Sequence, residues 1–359
     1  MPRMQGRCAA IALLFALGSI AVTADDDKVF FLELPPEVLP ADVGSNIFGI
    51  VGSFFSGGGL FWMPTMGTED IGGRSAVAVS RDGRTIVGRA LDARGFENAA
   101  IWLGGTDWRV LGSFSRDAQP CDTSLSAAYG ASDDGRVIVG LAWDGCRHAH
   151  AFRWEESTGV VDLGSLNTRS TRANNVSGDG QVIVGWQEDL TGFRIGARWI
   201  DLEEETFRGP HGLIGEAFAA NRDGSIVVGG NCDPVDTATS SAWMWTRVAG
   251  VKCFPVKAKP ELQNLPYIAS MLSTSDDGSV IGGSFAFGLE SESLVWLDGQ
   301  AYFLKDYLRD NGYPDAFARW VNTGFVTGVS ADGRTLVGYG AGPKTFQGFV
   351  VILPKRGAR

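Results

Sequence analysis

Histidine is almost missing from this chain. His148, His150 and His211 are the only three in 359 residues, which leaves little material for imidazole acid–base chemistry or a histidine-built metal centre. His148 and His150 lie two apart and share a face if the segment is a strand. His150 nevertheless reads more simply as a repeat residue hydrogen-bonded between neighbouring units, and no metal or other cofactor is expected. No Gly-x-Ser-x-Gly elbow supports a serine triad. Basic charge is scarce as well: 31 Lys and Arg face 41 Asp and Glu. Phosphate binding needs a basic surface, so nucleic acid is excluded as a partner. Long apolar runs are absent beyond the first two dozen residues, so no membrane span is expected. Cysteine is limited to five residues.

The one apolar run has the build of a secretory signal. Arg3 and Arg7 precede residues 9–21, which are apolar, and Val22-Thr23-Ala24 offers a small-residue cleavage site. Cleavage there divides the chain into a signal peptide, residues 1–24, and one domain, residues 25–359. Removing Arg3 and Arg7 leaves 29 basic residues against 41 acidic ones, a mature charge of −12. A secreted or periplasmic location follows as the expectation. Cys8 leaves with the signal. Cys121, Cys146, Cys232 and Cys253 then remain, an even number in an exported chain. Cys121–Cys146 and Cys232–Cys253 are the favoured pairs, each inside one repeat. Zinc is a poor alternative, because no two of these cysteines have the close spacing of metal sites.

What the sequence has in abundance is one nonapeptide. Ser132-Asp-Asp134-Gly135-Arg-Val-Ile-Val-Gly140 recurs, with variations, at residues 80–88, 177–185, 221–229, 275–283 and 330–338. A period near 50 residues marks a repeat architecture. Asp-Gly between β-formers is a hairpin signal, because Gly accepts the positive φ of the turn. The small-residue segment before each copy reads as a strand in a crowded place. Trp102, Trp154, Trp199, Trp245 and Trp296 follow the closing Gly and mark a third strand, with the ring as filler and its N–H seeking a partner. Runs such as Gly159-Val-Val-Asp162 supply a fourth. Four short strands per repeat make one propeller blade. A degenerate copy at residues 46–52, followed by Trp62, raises the number to seven. The last copy lacks an outer strand. Residues 29–34 are strand-like and without a repeat of their own, so they are expected to complete it and close the ring. The fold class is therefore an all-β propeller of seven blades. Between the fifth and sixth Asp-Gly copies, residues 302–310 carry the spacing of a short amphipathic helix.

The segments His150-Ala151-Phe152-Arg-Trp154, Val160-Val-Asp-Leu-Gly164 and residues 173–185 resemble the HAF repeat of bacterial extracellular proteins. The ending Gly328-Val-Ser-Ala-Asp-Gly333 with Leu353-Pro354 is similar to that family's usual close. The resemblance covers residues 44–354 and implies an exported repeat protein with no general catalytic motif. Function is then expected in the loops after each closing Gly, which differ among repeats and gather on one face of a ring. Trp143, Asp144, Arg147, His148, Trp186, Glu188 and Arg194 are the candidate ligand-binding residues, a mixture suited to a glycan or a protein. The reading is a monomeric, non-catalytic binding propeller. Its alternative is an extracellular polysaccharide hydrolase or lyase, which would need an acid, a His or Tyr and an Arg converging at the channel mouth.

Overall fold

A computed structural model describes residues 28–45, 49–114, 124–145, 148–232, 239–260 and 266–355. The expected signal segment, Cys121, Cys146 and Arg147 lie outside the described residues, and with them the expected Cys121–Cys146 pair.

Each copy of the nonapeptide joins the first strand of a blade to its second. In blade 3 the strands are Ser126–Ala131, Ile138–Trp143, Ala149–Glu155 and Gly159–Asp162, hydrogen-bonded in that order. Within the turn, Ser132 Oγ donates to Asp134 Oδ1 at 2.8 Å and accepts from the Val137 N–H at 3.0 Å. Asp134 Oδ1 also accepts from the Arg136 N–H. The side chains thus satisfy backbone donors that a tight turn would orphan. Gly135 holds φ +67. The closing Gly140 has a different role: a Cβ there would collide with the Ala127 carbonyl of the first strand. Close backbone approach selects glycine at that place.

Seven such sheets form the ring. Blades 1 to 6 occupy residues 38–72, 75–112, 126–162, 171–206, 217–254 and 267–303, and blade 7 begins at residue 322. The first strand of each blade contacts the first strand of the next, and blade 7 returns to blade 1. First strands therefore surround the axis. Blade 7 is ordered Phe30–Pro36, Phe346–Ile352, Thr335–Ala341, Asn322–Val329 from the outside inward. Its outer strand comes from the start of the chain, as the sequence led one to expect, with Phe30 opposite Ile352 and Glu33 opposite Phe349. Blade 6 has a fifth strand the sequence did not announce, Thr239–Ser240, parallel to Tyr267–Thr274.

The core is a set of wedges between blades. Val137, Val139, Ala151 and Leu163 of blade 3 pack with Ala173, Ile183, Ala197 and Trp199 of blade 4. Trp199 and Trp296 are buried filler as expected, but their indole N–H groups have no partner. Helix α1 (Leu304–Asp310) buries Leu304 and Leu308 against blades 6 and 7. The expected pair Cys232–Cys253 is bonded, with Cα atoms 5.8 Å apart inside blade 5. Among the described residues no helix is long and apolar enough to cross a membrane.

Candidate functional site

The seven first strands share one irregularity. Each carries a bulge, at Ala41, Val77, Tyr129, Asn174, Phe218, Leu272 and Thr327. The last six stand three residues before the Ser or Asn that opens the turn. Each is half-buried, while the residue after the bulge packs or lines the axis. A bulge re-aims side chains in this way. Asn174 Nδ2 donates to the Ala217 carbonyl and Thr327 Oγ1 to the Pro40 carbonyl, each on the next first strand.

The two ends of the axis differ in chemistry. At the turn end, the second residue of the repeated motif varies: Arg81, Asp133, Gly178, Arg222, Asp276 and Ala331. Together with Asp42 these line a cavity of about 110 Å3. Arg81 Nη1 lies 2.6 Å from Asp276 and 3.4 Å from Asp133, and Arg222 lies 3.3 Å from Asp133. Two of these pairs join blades that are not neighbours: blade 2 reaches blade 6 across the axis, and blade 5 reaches blade 3. Arg81 and its partners thus bar this end. A Cβ at Gly178 would strike the Asp133 carboxylate, so glycine leaves room for the bar. Asp42 accepts from the Val43 and Val79 N–H groups, yet burial outweighs those bonds and pushes its carboxyl up to about 6. Burial is also the main influence on Asp133 and raises it.

The loop end is open where blades 4, 5 and 6 meet. A groove of about 330 Å3 is lined by Phe193, Arg194, Glu216, Phe218, Asn231, Ile268 and Ser270 among others. Glu216 is gripped from two sides, by Arg194 at 3.0 Å and Arg172 at 3.3 Å. Both guanidinium groups also lie over the Trp186 ring, at 4.5 and 5.3 Å from its centre. Asn231 has a positive φ of 61 and is fixed by Ser240 Oγ, while its carbonyl takes the Gly215 N–H. Ile268 is 49% exposed at the rim. An apolar floor, a hydrogen-bonding rim and one surplus positive charge suit binding more than proton transfer.

Of the residues expected from the sequence, Arg194 lies in this groove and Trp186 beneath it. Trp186 is not an exposed loop residue: it is 3% exposed, within strand Val182–Glu188. Trp143 (36% exposed) ends strand Ile138–Trp143 of blade 3, and Asp144 and His148 belong to the loop that follows it. Glu188 ends its strand, with its carbonyl accepting from Asn167. The acids of other loops are spent on their own turns: Asp189 Oδ1 accepts from the Thr191 and Phe193 N–H groups, and Asp92 Oδ1 from those of Arg94 and Phe96. Arg172, Glu216, Phe218 and Ile268 were missed because they lie on or beside first strands, which read as small-residue packing. Phe218 alone carried a signal, as the bulky residue three places before its turn; Arg172, Glu216 and Ile268 stand five to seven places before theirs and carried none.

His150 bonds Asp162 at 3.0 Å, and this bond raises the imidazole pKa. Nearby Glu204 is pushed by burial to about 7 and accepts from the Leu166 N–H. Asp162 and Glu204 belong to outer strands of blades 3 and 4. This titratable cluster is therefore off the axis and does not converge with Arg172 and Arg194. Among the described residues no three of His, Cys, Asp and Glu come together as a metal-binding group.

No family model matches the chain, and none of the curated proteins matches it. Solved structures do. An oligogalacturonate lyase in complex with manganese superposes with TM-score 0.55 at 12% identity, covering 91% of each chain. U3-55K gives TM-score 0.52 at 13% identity, covering 90% of this chain and 98% of that one. The likeness is one of fold. TolB from Acinetobacter baumannii gives TM-score 0.46 at 12% identity, and the matched region spans 62% of that chain. The first two superpositions show the propeller fold, and a shared fold carries no shared activity.

Proposed function

We propose that the protein is an exported, non-catalytic binding propeller that takes a protein or glycan partner in the loop-end groove of blades 4, 5 and 6. The observation that carries this reading is the groove itself: exposed Ile268 and the Phe193 and Phe218 side chains beside a Glu216 held by two arginines. Rigid strands supply Arg172, Arg194 and Phe218, which keeps the geometry fixed before a partner arrives. The barred turn end leaves the loop end as the side of entry. Export is supported by the amino-terminal charge and hydropathy pattern and by the Cys232–Cys253 bond, since such bonds persist in oxidising compartments.

A glycan array and a polysaccharide-degradation screen on the mature protein test the reading together. Binding without degradation, abolished by Ile268→Asp and weakened at least about tenfold by Arg194→Ala, is the expected result. Turnover of a polysaccharide would replace this proposal with the enzymatic one. N-terminal sequencing of extracytoplasmic material should begin at Asp25; material beginning at Met1 would contradict export.

A further inference from the structure

Lysine is distributed unevenly along this chain. There are seven lysines, and none occurs between Lys28 and Lys252. Three then fall within eight residues, Lys252, Lys257 and Lys259, and the first two line a second cavity of about 280 Å3 at the outer rim, between blades 5 and 6. The two outer strands, Gly250–Phe254 and Gln300–Phe303, form its walls. Trp296 also lines it, is 1% exposed, and has an indole N–H with no hydrogen-bond partner. Trp199, the matching residue of blade 4, shares that unmet donor, so the donor is a feature of the repeat and the site is marked by the cavity and its lysines. Tyr302 offers a ring 41% exposed at the rim.

The charge pattern selects the occupant. Lys259 lies over Phe303 and 3.7 Å from Asp306, so its charge is partly answered. Lys252 lies over Phe254, and among the described residues neither Lys252 nor Lys257 makes an ion pair. Two ammonium groups unpaired among the described residues, on a protein of formal charge −10, are a local reversal of sign. An extended peptide would seek a strand edge, but strand Gly250–Phe254 runs directly into Pro255, which has no N–H to donate. The cavity is a compact depression with an exposed tyrosine ring at its rim and separate point charges that donate hydrogen bonds. Sugar rings stack on aromatic faces and accept hydrogen bonds, and uronate carboxylates supply the complementary charge.

We propose that this rim cavity is a subsite for a carboxylated oligosaccharide, separate from the loop-end groove. Calorimetric titration of the mature protein with a mannuronate hexamer tests it. Binding is expected at low salt and should weaken at least about tenfold at ~0.5 M salt, where charges are screened over a few ångströms. The Lys252→Ala/Lys257→Ala double variant should lose at least about tenfold in affinity with unchanged melting, because both side chains are exposed. Tyr302→Ala should weaken binding, Arg194→Ala should not, and neutral maltohexaose should not bind. Absence of mannuronate binding overturns the proposal, as does undiminished binding by the double variant. Equal or tighter binding of a hexaglutamate peptide overturns it in favour of an acidic protein partner. Loss through Arg194→Ala alone would move the ligand to the loop-end groove, and so separates failure here from failure there.

Discussion

Asp42 is a carboxylate placed where its charge is costly. Its usual range is near 3.8, and burial in the turn-end mouth pushes it to about 6 despite two backbone donors. The groups sharing that mouth are Arg81, Asp133, Arg222 and Asp276. A group with a raised carboxyl pKa binds its proton more tightly folded than unfolded. Stability from this source is full below pH 3.8 and is lost as pH climbs to about 6. Asp42→Asn should therefore flatten the decline in stability between pH 4 and 6, by on the order of 1–2 kcal/mol, since part of the residue remains accessible to water. Denaturant titrations of both proteins across that range check it; parallel curves would contradict the assignment. Trp186 makes the opposite case to Trp143. Trp186→Ala removes a buried ring beneath two arginines and should cost roughly 3–5 kcal/mol. Trp143→Ala should leave stability within about 1 kcal/mol, as a surface substitution does. The sequence hid this difference, because both tryptophans follow a closing Gly closely. Trp186, next to its Gly, is enclosed by the cover of Arg172 and Arg194, while Trp143 sits two places farther out at its strand's end.

At the scale of the element, the repeated turn was legible because its chemistry is local. Ser, Asp and Gly at fixed offsets satisfy neighbouring backbone donors, whatever the rest of the molecule does. Strand order, the third-strand tryptophans and helix α1 followed from the same short-range patterns. The bulges were not legible, since a bulge is a relation between two strands and leaves only a faint trace in one. The groove was hidden for the same reason: Arg172, Glu216 and Ile268 belong to three blades and meet only through curvature. The Cys232–Cys253 bond lies between these cases, with both partners in one repeat 21 residues apart. Replacing both by Ser should lower stability by about 3 kcal/mol on the loop-entropy model. A shift in urea midpoint matching reduction of the wild type would show that the bond itself is responsible.

For the whole molecule, closure is the decisive feature. Strand Phe30–Pro36 covers an edge of blade 7 that would otherwise present unpaired backbone groups. It also brings Leu34 into the core with Val38, Val337 and Val350. Deleting residues 28–36 should produce aggregation or a steep fall in melting temperature, measured by light scattering and calorimetry; a monomer with unchanged melting would contradict ring closure by this strand. This arrangement was readable in outline, because the last repeat lacked one strand and the chain began with a spare one.

The same seam has a mechanical consequence. Because Phe30 lies opposite Ile352, the outward ends of both strands emerge on the same side of the sheet. Tension applied at residues 28 and 355 would pull the two strands apart like a zipper, loading their hydrogen bonds one after another instead of all together. Blade 7 should yield first and at low force, and the other six should then lose their circular support. In a single-molecule pulling experiment the ring should open at its seam before any internal blade extends, so the joint that completes the fold is also where a translocating or threading machine would most easily begin to undo it.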